Sequence, residues 1–169
     1  MEKWYKGRGL DRQRKEKYII LLTSDVNTDS MTKVLVFGTF DGLHPGHLSF
    51  LRQAKEHGDF LVVAVGRDEI IQKLKGKPPT YPLEQRIALL QNTDFVDRAI
   101  TGDEVLGVYT VIAEEKPDII CLGYDQNELG KDVDKWLSKH NLDIPMKYLE
   151  PYKPDKYHTS IIDKTPNQL

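Results

Sequence analysis

Two histidines, His44 and His47, close the glycine-rich segment Gly38–His47, GTFDGLHPGH. It follows an apolar run, Lys33–Gly38 (KVLVFG), and precedes a stretch of helical periodicity, so it reads as the turn from a first strand into a first helix. Backbone N–H groups are free at a helix start, and the helix dipole favours an anion there. Gly38, Gly42 and Gly46 allow sharp turns and close approach of a ligand to the backbone. Thr39 adds a hydroxyl, and the imidazoles add N–H donors that can charge beside a polyphosphate. A transition state at the α-phosphorus of a nucleoside triphosphate gathers charge on its equatorial oxygens and on the departing pyrophosphate. Two fixed imidazoles suit that load. No protein nucleophile is needed, because a phosphate oxygen of the acceptor can attack in line. Zinc would require a convincing third ligand, which the sequence around the pair does not offer.

Two further stretches carry polar chemistry. In Arg67–Arg86 (RDEIIQKLKGKPPTYPLEQR), Lys73, Lys75 and Lys77 cluster beside Gly76 and Pro78–Pro79, at a helix end and loop. They read either as a solvated basic loop or as a rim that screens the repulsion between two phosphorylated substrates. Ile119–Asn127 (IICLGYDQN) reads as a buried strand that ends at Gly123 and opens a polar loop. There Asp125 and Gln126 could bond a base, a ribose or a substrate ring, or Asp125 could cap the next helix.

The elements that must position these residues alternate. Candidate strands are Val34–Phe37, Phe60–Val65, Phe95–Ile100, Asp118–Leu122 and Met146–Leu149. Several are apolar at every position, as in a parallel sheet covered on both faces. Candidate helices are His47–His57, Glu69–Lys75, Pro82–Leu90, Leu106–Glu115 and Leu129–His140. The alternation predicts a single α/β domain with a Rossmann-like, doubly wound parallel sheet over 31–169. Residues 1–30, highly charged and then polar, read as an N-terminal appendage. His57, His140, Trp136 and Cys121 read as structural.

The Gly38–His47 segment resembles the HxGH signature of the cytidylyltransferase-like superfamily of nucleotidyltransferases, and the resemblance runs from Lys33 to about Ile162. It implies that Thr39, Phe40, Asp41, His44, Pro45, Gly46 and His47 form the nucleotide site, with His44 and His47 holding the triphosphate. LKG followed by PLEQR is similar to segments that bind phosphates, which implies roles for Lys75 and Arg86, with Lys73 and Lys77 as alternatives to Lys75. The superfamily's second, ISTT-like signature corresponds to Tyr157–Ile162 (YHTSII). This implies that Thr159 and Ser160 grip the triphosphate, although those residue types also cap helices. Tyr152, in the loop before it, is a further candidate nucleotide contact. GYDQ, with RDE, KLKG, PLEQR and KPDII, resembles the archaeal-type FAD synthases, and this implies that Asp125 contacts ATP.

The bulk properties agree. The 169 residues carry a formal net charge of -2 and a pI of about 6.2, which gives no electrostatic case for nucleic acid or an anionic membrane as partner. One cysteine precludes an intrachain disulfide, and the apolar run Tyr18–Leu22 is too short for a membrane span. The resemblance to FAD synthases implies an adenylyltransferase that transfers AMP from ATP to FMN with Mg²⁺ on the triphosphate, and the default address is the cytoplasm. The alternatives are cytidylyl transfer to glycerol 3-phosphate, adenylyl transfer to heptose 1-phosphate, and, in another class, a nucleotide-binding domain without turnover. Relatives suggest a homodimer. A P-loop enzyme is excluded because no GxxxxGK[ST] string occurs.

Overall fold

A computed structural model describes residues 31–152 of the chain. The segment 1–30 and the candidates Thr159 and Ser160 lie outside the described residues. The order is β1 (Lys33–Gly38), α1 (Pro45–Lys55), β2 (Phe60–Val65), α2 (Asp68–Lys75), α3 (Leu83–Gln91), β3 (Arg98–Thr101), α4 (Thr110–Glu115), β4 (Ile119–Gly123), α5 (Asn127–Lys139) and β5 (Met146–Leu149).

Side chains alternate between the two faces of a strand, and here both faces are covered. Val34, Val36, Leu61, Val63, Val65 and Cys121 pack against Leu51 and Ala54 of α1 and Leu90 of α3. Leu35, Val62, Ala64, Ile120 and Leu122 pack against Val111 and Ile112 of α4 and Val133 and Leu137 of α5. Each fully buried Val, Leu or Ile contributes roughly 1.5–3 kcal/mol, so burial on both faces holds the sheet more than local propensity does. Burial pushes the Cys121 thiol up to about 11, which keeps it unreactive.

All strand pairs are parallel, in the order β3-β2-β1-β4-β5. The chain therefore winds one way from β1 to β2 and β3, and the other way to β4 and β5. At that reversal the loops after β1 and β4 part and leave a crevice at the carboxyl edge.

Element boundaries shift by up to four residues from the sequence expectation. The third strand begins at Arg98, not Phe95, because a turn from Val96 N–H to the Thr93 carbonyl and the Asp97 carboxylate on Leu61 N–H (2.8 Å) occupy the approach. The fourth helix begins at Thr110, not Leu106. Gly107 and Tyr109 have φ values of 77° and 49°, which no α-helix contains. Tyr109 is held there by its hydroxyl donating to Asp132 (2.8 Å) and by ring contacts with Phe37 and Trp136. The first helix begins at Pro45, with His44 as its N-cap.

Candidate active site

A cleft of about 270 Å³ opens where β1 and β4 diverge. The Gly38–His47 turn forms one wall. Gly123–Gln126 and Leu149–Tyr152, after β4 and β5, form the other, and Lys75 reaches in from the end of α2. Of the residues anticipated from sequence, Thr39, Phe40, Asp41, His44, Gly46, His47, Lys75, Asp125 and Tyr152 border this one cavity. Pro45 and Arg86 do not, nor do Lys73 and Lys77. Pro45 is exposed and opens α1, where its missing N–H costs nothing.

The histidines are fixed by their own turn. Nδ1 of His44 accepts from the backbone N–H of His47 at 3.3 Å, so the neutral ring carries its proton on Nε2. His47 has the opposite tautomer: Nδ1 donates to the Gly42 carbonyl at 3.0 Å, a carbonyl presented by glycine at a φ of 79°. The rings stack with centroids 3.7 Å apart. Burial lowers His44, and burial followed by the His44 charge pulls His47 down to about 4. Both rings are therefore neutral at pH 7 when no anion is present. A phosphate oxygen beside Nε2 of His47 has to draw in a proton, because the other ring nitrogen already donates to Gly42.

This predicts a pH signature for the ligand-free protein. An unfolded histidine titrates near 6.5, and His47 titrates near 4 when folded. The unfolded chain then binds more protons between those values, so stability falls as the pH drops from about 6.5 to 4, by roughly 2–3 kcal/mol. Urea unfolding across that window is expected to show this slope, and His47→Gln is expected to reduce it to the part that His44 contributes.

Three of the anticipated residues brace the site from within the protein. Phe40 lies in the left-handed region (φ 51°) and is 3% exposed. The ring covers Gly38, where a Cβ would come within 2.5 Å of it, and packs against His47 and Phe50. The Asp41 carboxylate accepts from the N–H groups of Thr80 (2.7 Å) and Tyr81 (2.8 Å). Burial would raise this carboxyl, but those two bonds and Arg86 hold it below its ordinary value.

Arg86 is the most deeply engaged of these side chains. It is 0% exposed, and its guanidinium donates to the carbonyls of Thr39 (2.6 Å), Gly66 (2.8 Å) and Tyr81 (2.9 Å) and to Asp68 (2.5 Å). It fastens the loops after β1 and β2 to α3 from beneath the cleft. Its donors are engaged within the protein, because a buried guanidinium has to satisfy them locally.

Two glutamines complete the frame. Backbone pairing of β1 with β4 runs only from Val34 to Val36. Just beyond it, Gln126 accepts from Gly123 N–H (2.8 Å) and donates to the Phe37 carbonyl (3.0 Å), bridging the strands as they part. Its amide thus ties the frame together at the border of the cleft. Asp125 is not the α5 cap, since Gln126 takes that position. Gln53 of α1 donates to the Glu150 carbonyl and accepts from Glu150 N–H, both at 3.1 Å, which fixes the segment leading to Tyr152. Nothing in the sequence marks Gln53, because its partner lies 97 residues away.

Comparison with known proteins agrees with this architecture. Residues 35–164 match the cytidylyltransferase-like family model. The chain belongs to that family. An FAD synthase of Pyrococcus horikoshii is 38% identical over 140 residues, covering 81% of this chain and 93% of that protein. An FAD synthase of Archaeoglobus profundus is 44% identical over 113 residues, covering 66% and 70%. The solved structure of a lipopolysaccharide core biosynthesis protein from Thermoplasma volcanium is 36% identical, has a TM-score of 0.68, and covers 73% of this chain and 100% of that one.

The protein is thus a cytidylyltransferase-like nucleotidyltransferase with a Rossmann-like sheet. The family match extends over Thr159 and Ser160. Among the described residues no helix is long and apolar enough to cross a membrane.

Proposed function

We propose that the chain transfers AMP from ATP to FMN. An oxygen of the FMN phosphate attacks the α-phosphorus in line. The bond from the α-phosphorus to the oxygen bridging to the β-phosphorus breaks, the new pyrophosphate linkage of FAD forms, and inorganic pyrophosphate leaves. The observation that carries nucleotidyl transfer is the stacked His44–His47 pair at the start of α1, in the cleft that Lys75 also borders. The FAD synthase names of relatives at 38% and 44% identity support FMN as acceptor and ATP as donor.

On this reading His44 donates from Nε2 to the triphosphate, and His47 joins it once protonated. Lys75 screens the two phosphate groups as they meet. The nucleoside extends between Asp125 and Tyr152. Holding both substrates in the attack geometry supplies roughly 7–11 kcal/mol of the barrier lowering, and fixed donors supply several more. Magnesium arrives with the nucleotide, as part of the substrate. The same reading makes the protein a cytoplasmic enzyme of small molecules, with neither nucleic acid nor membrane as partner.

The Thermoplasma protein is named for lipopolysaccharide core biosynthesis, and that name favours a second reading, a sugar-phosphate acceptor. A pyrophosphate-release assay crossing ATP and CTP with FMN, glycerol 3-phosphate and heptose 1-phosphate separates the readings. Turnover is expected with ATP and FMN. Release only with CTP, or only with a sugar phosphate, overturns the assignment.

A further inference from the structure

A second cleft, of about 360 Å³, opens beside the carboxyl end of β3, where it is lined by Arg67 and by Thr101 onward. The strand order runs β3-β2-β1, and neighbouring strands lie about 4.8 Å apart, so this cleft sits roughly 10 Å from the end of β1 along the same edge of the sheet. Its wall is the β3–α4 connection, which leaves Val105, Leu106 and Val108 exposed at 61%, 52% and 40%. Val105 and Val108 line the cleft together with buried Val111, whereas Leu106 does not.

The connection is braced. Gly107 and Tyr109 adopt left-handed backbone. Asp103 accepts from Thr110 N–H at 3.1 Å and from its hydroxyl. Arg67 donates to the Gly102 carbonyl (3.0 Å) and pairs with Glu104 (3.1 Å). Apolar side chains fixed in water beside a cavity mark a surface that a ligand covers.

We propose that this cleft receives the ring system of an aromatic phosphorylated acceptor, with the ring against Val105 and Val108 and the phosphate reaching across the end of β2 toward Lys75 and the histidines. The inference rests on the transfer chemistry proposed above. With the nucleoside toward Asp125 and Tyr152, the body of the acceptor is left the opposite side of β1. Asp103, Glu104 and Glu114 outnumber Arg67, the one cation among the described residues lining this cleft; the excess negative charge repels the phosphate end and suits a ring edge that bears an N–H donor. A flavin has such an edge, an apolar benzenoid side and a ribityl chain to its phosphate. Glycerol or heptose phosphate would leave the valines uncovered.

The test compares Val105→Asp and Val108→Asp with Leu106→Asp, a control on the same loop outside the cleft. Quenching of flavin fluorescence measures FMN binding without ATP, and steady-state assays measure KM for each substrate. Each valine variant is expected to raise the Kd and KM for FMN by roughly tenfold or more with the KM for ATP and the melting temperature unchanged. Leu106→Asp should stay within about twofold. Wild-type turnover of FMN with both valine variants at wild-type KM overturns the ring site alone. Absence of FMN turnover and of FMN binding in the wild type overturns the acceptor reading and the ring site together.

Discussion

Replacing His44 with alanine is expected to lower kcat by roughly 10²–10³-fold, the loss measured when one preorganised donor to a developing oxyanion is removed. The side chain has a second role, because its Nδ1 caps α1 through His47 N–H. Losing a cap costs about 1 kcal/mol, well below the roughly 3–4 kcal/mol expected in the barrier. His44→Asn separates the two effects. Asparagine is a favoured N-cap, so melting should recover while turnover stays low. His47→Ala should lower kcat similarly. Pyrophosphate release and thermal melting on the same preparations provide the check. A domain that only binds nucleotide would keep its affinity through these changes, and a His44→Asn enzyme within a few-fold of wild-type kcat would remove the imidazole from the chemistry.

Arg86→Ala is expected to destabilise the fold by about 3–5 kcal/mol, the range for breaking one side of a buried charged network. The truncation strands the carbonyls of Thr39, Gly66 and Tyr81 and leaves Asp68 without its cation. Arg86→Lys should recover little, because an ammonium cannot reproduce a planar fork aimed at four acceptors. Urea denaturation gives the magnitude directly. The sequence expectation that Arg86 binds a phosphate makes a different forecast, a stable protein with weakened substrate binding. A wild-type midpoint for Arg86→Ala would restore that role.

The contrast shows which features were legible. The turn Gly38–His47 was readable because its parts are contiguous: a strand, flexible glycines, two histidines and a helix start are encoded within a few residues of one another. The placement of Asp125 beside it was readable at one remove, since the carboxyl ends of parallel strands share one edge of a sheet. Lys75 was singled out from its neighbours by resemblance, and the structure shows a geometric difference: of the three clustered lysines it alone borders the cleft.

Arg86, Asp41 and Gln126 read from sequence as polar groups near the site, but sequence does not say where such a group points. A guanidinium in an E-x-R string looks the same whether it faces a phosphate or three backbone carbonyls. That choice depends on the loops after β1 and β2, which arrive from 47 and 20 residues away. The start of α4 differs from the sequence expectation for a related reason. The apolar pattern from Leu106 onward has helical spacing, but Tyr109 is held in left-handed backbone by Asp132, a residue on α5.

The sequence by itself determined the order of strands and helices, the doubly wound sheet and the anion-binding turn, because each is set by side-chain periodicity and backbone freedom over a short span. Only the tertiary structure decided which polar side chains face the cleft and which are used up as braces. A buried donor has to find its acceptor wherever the folded chain brings one, and for Arg86, Gln126 and Gln53 the acceptors come from distant segments.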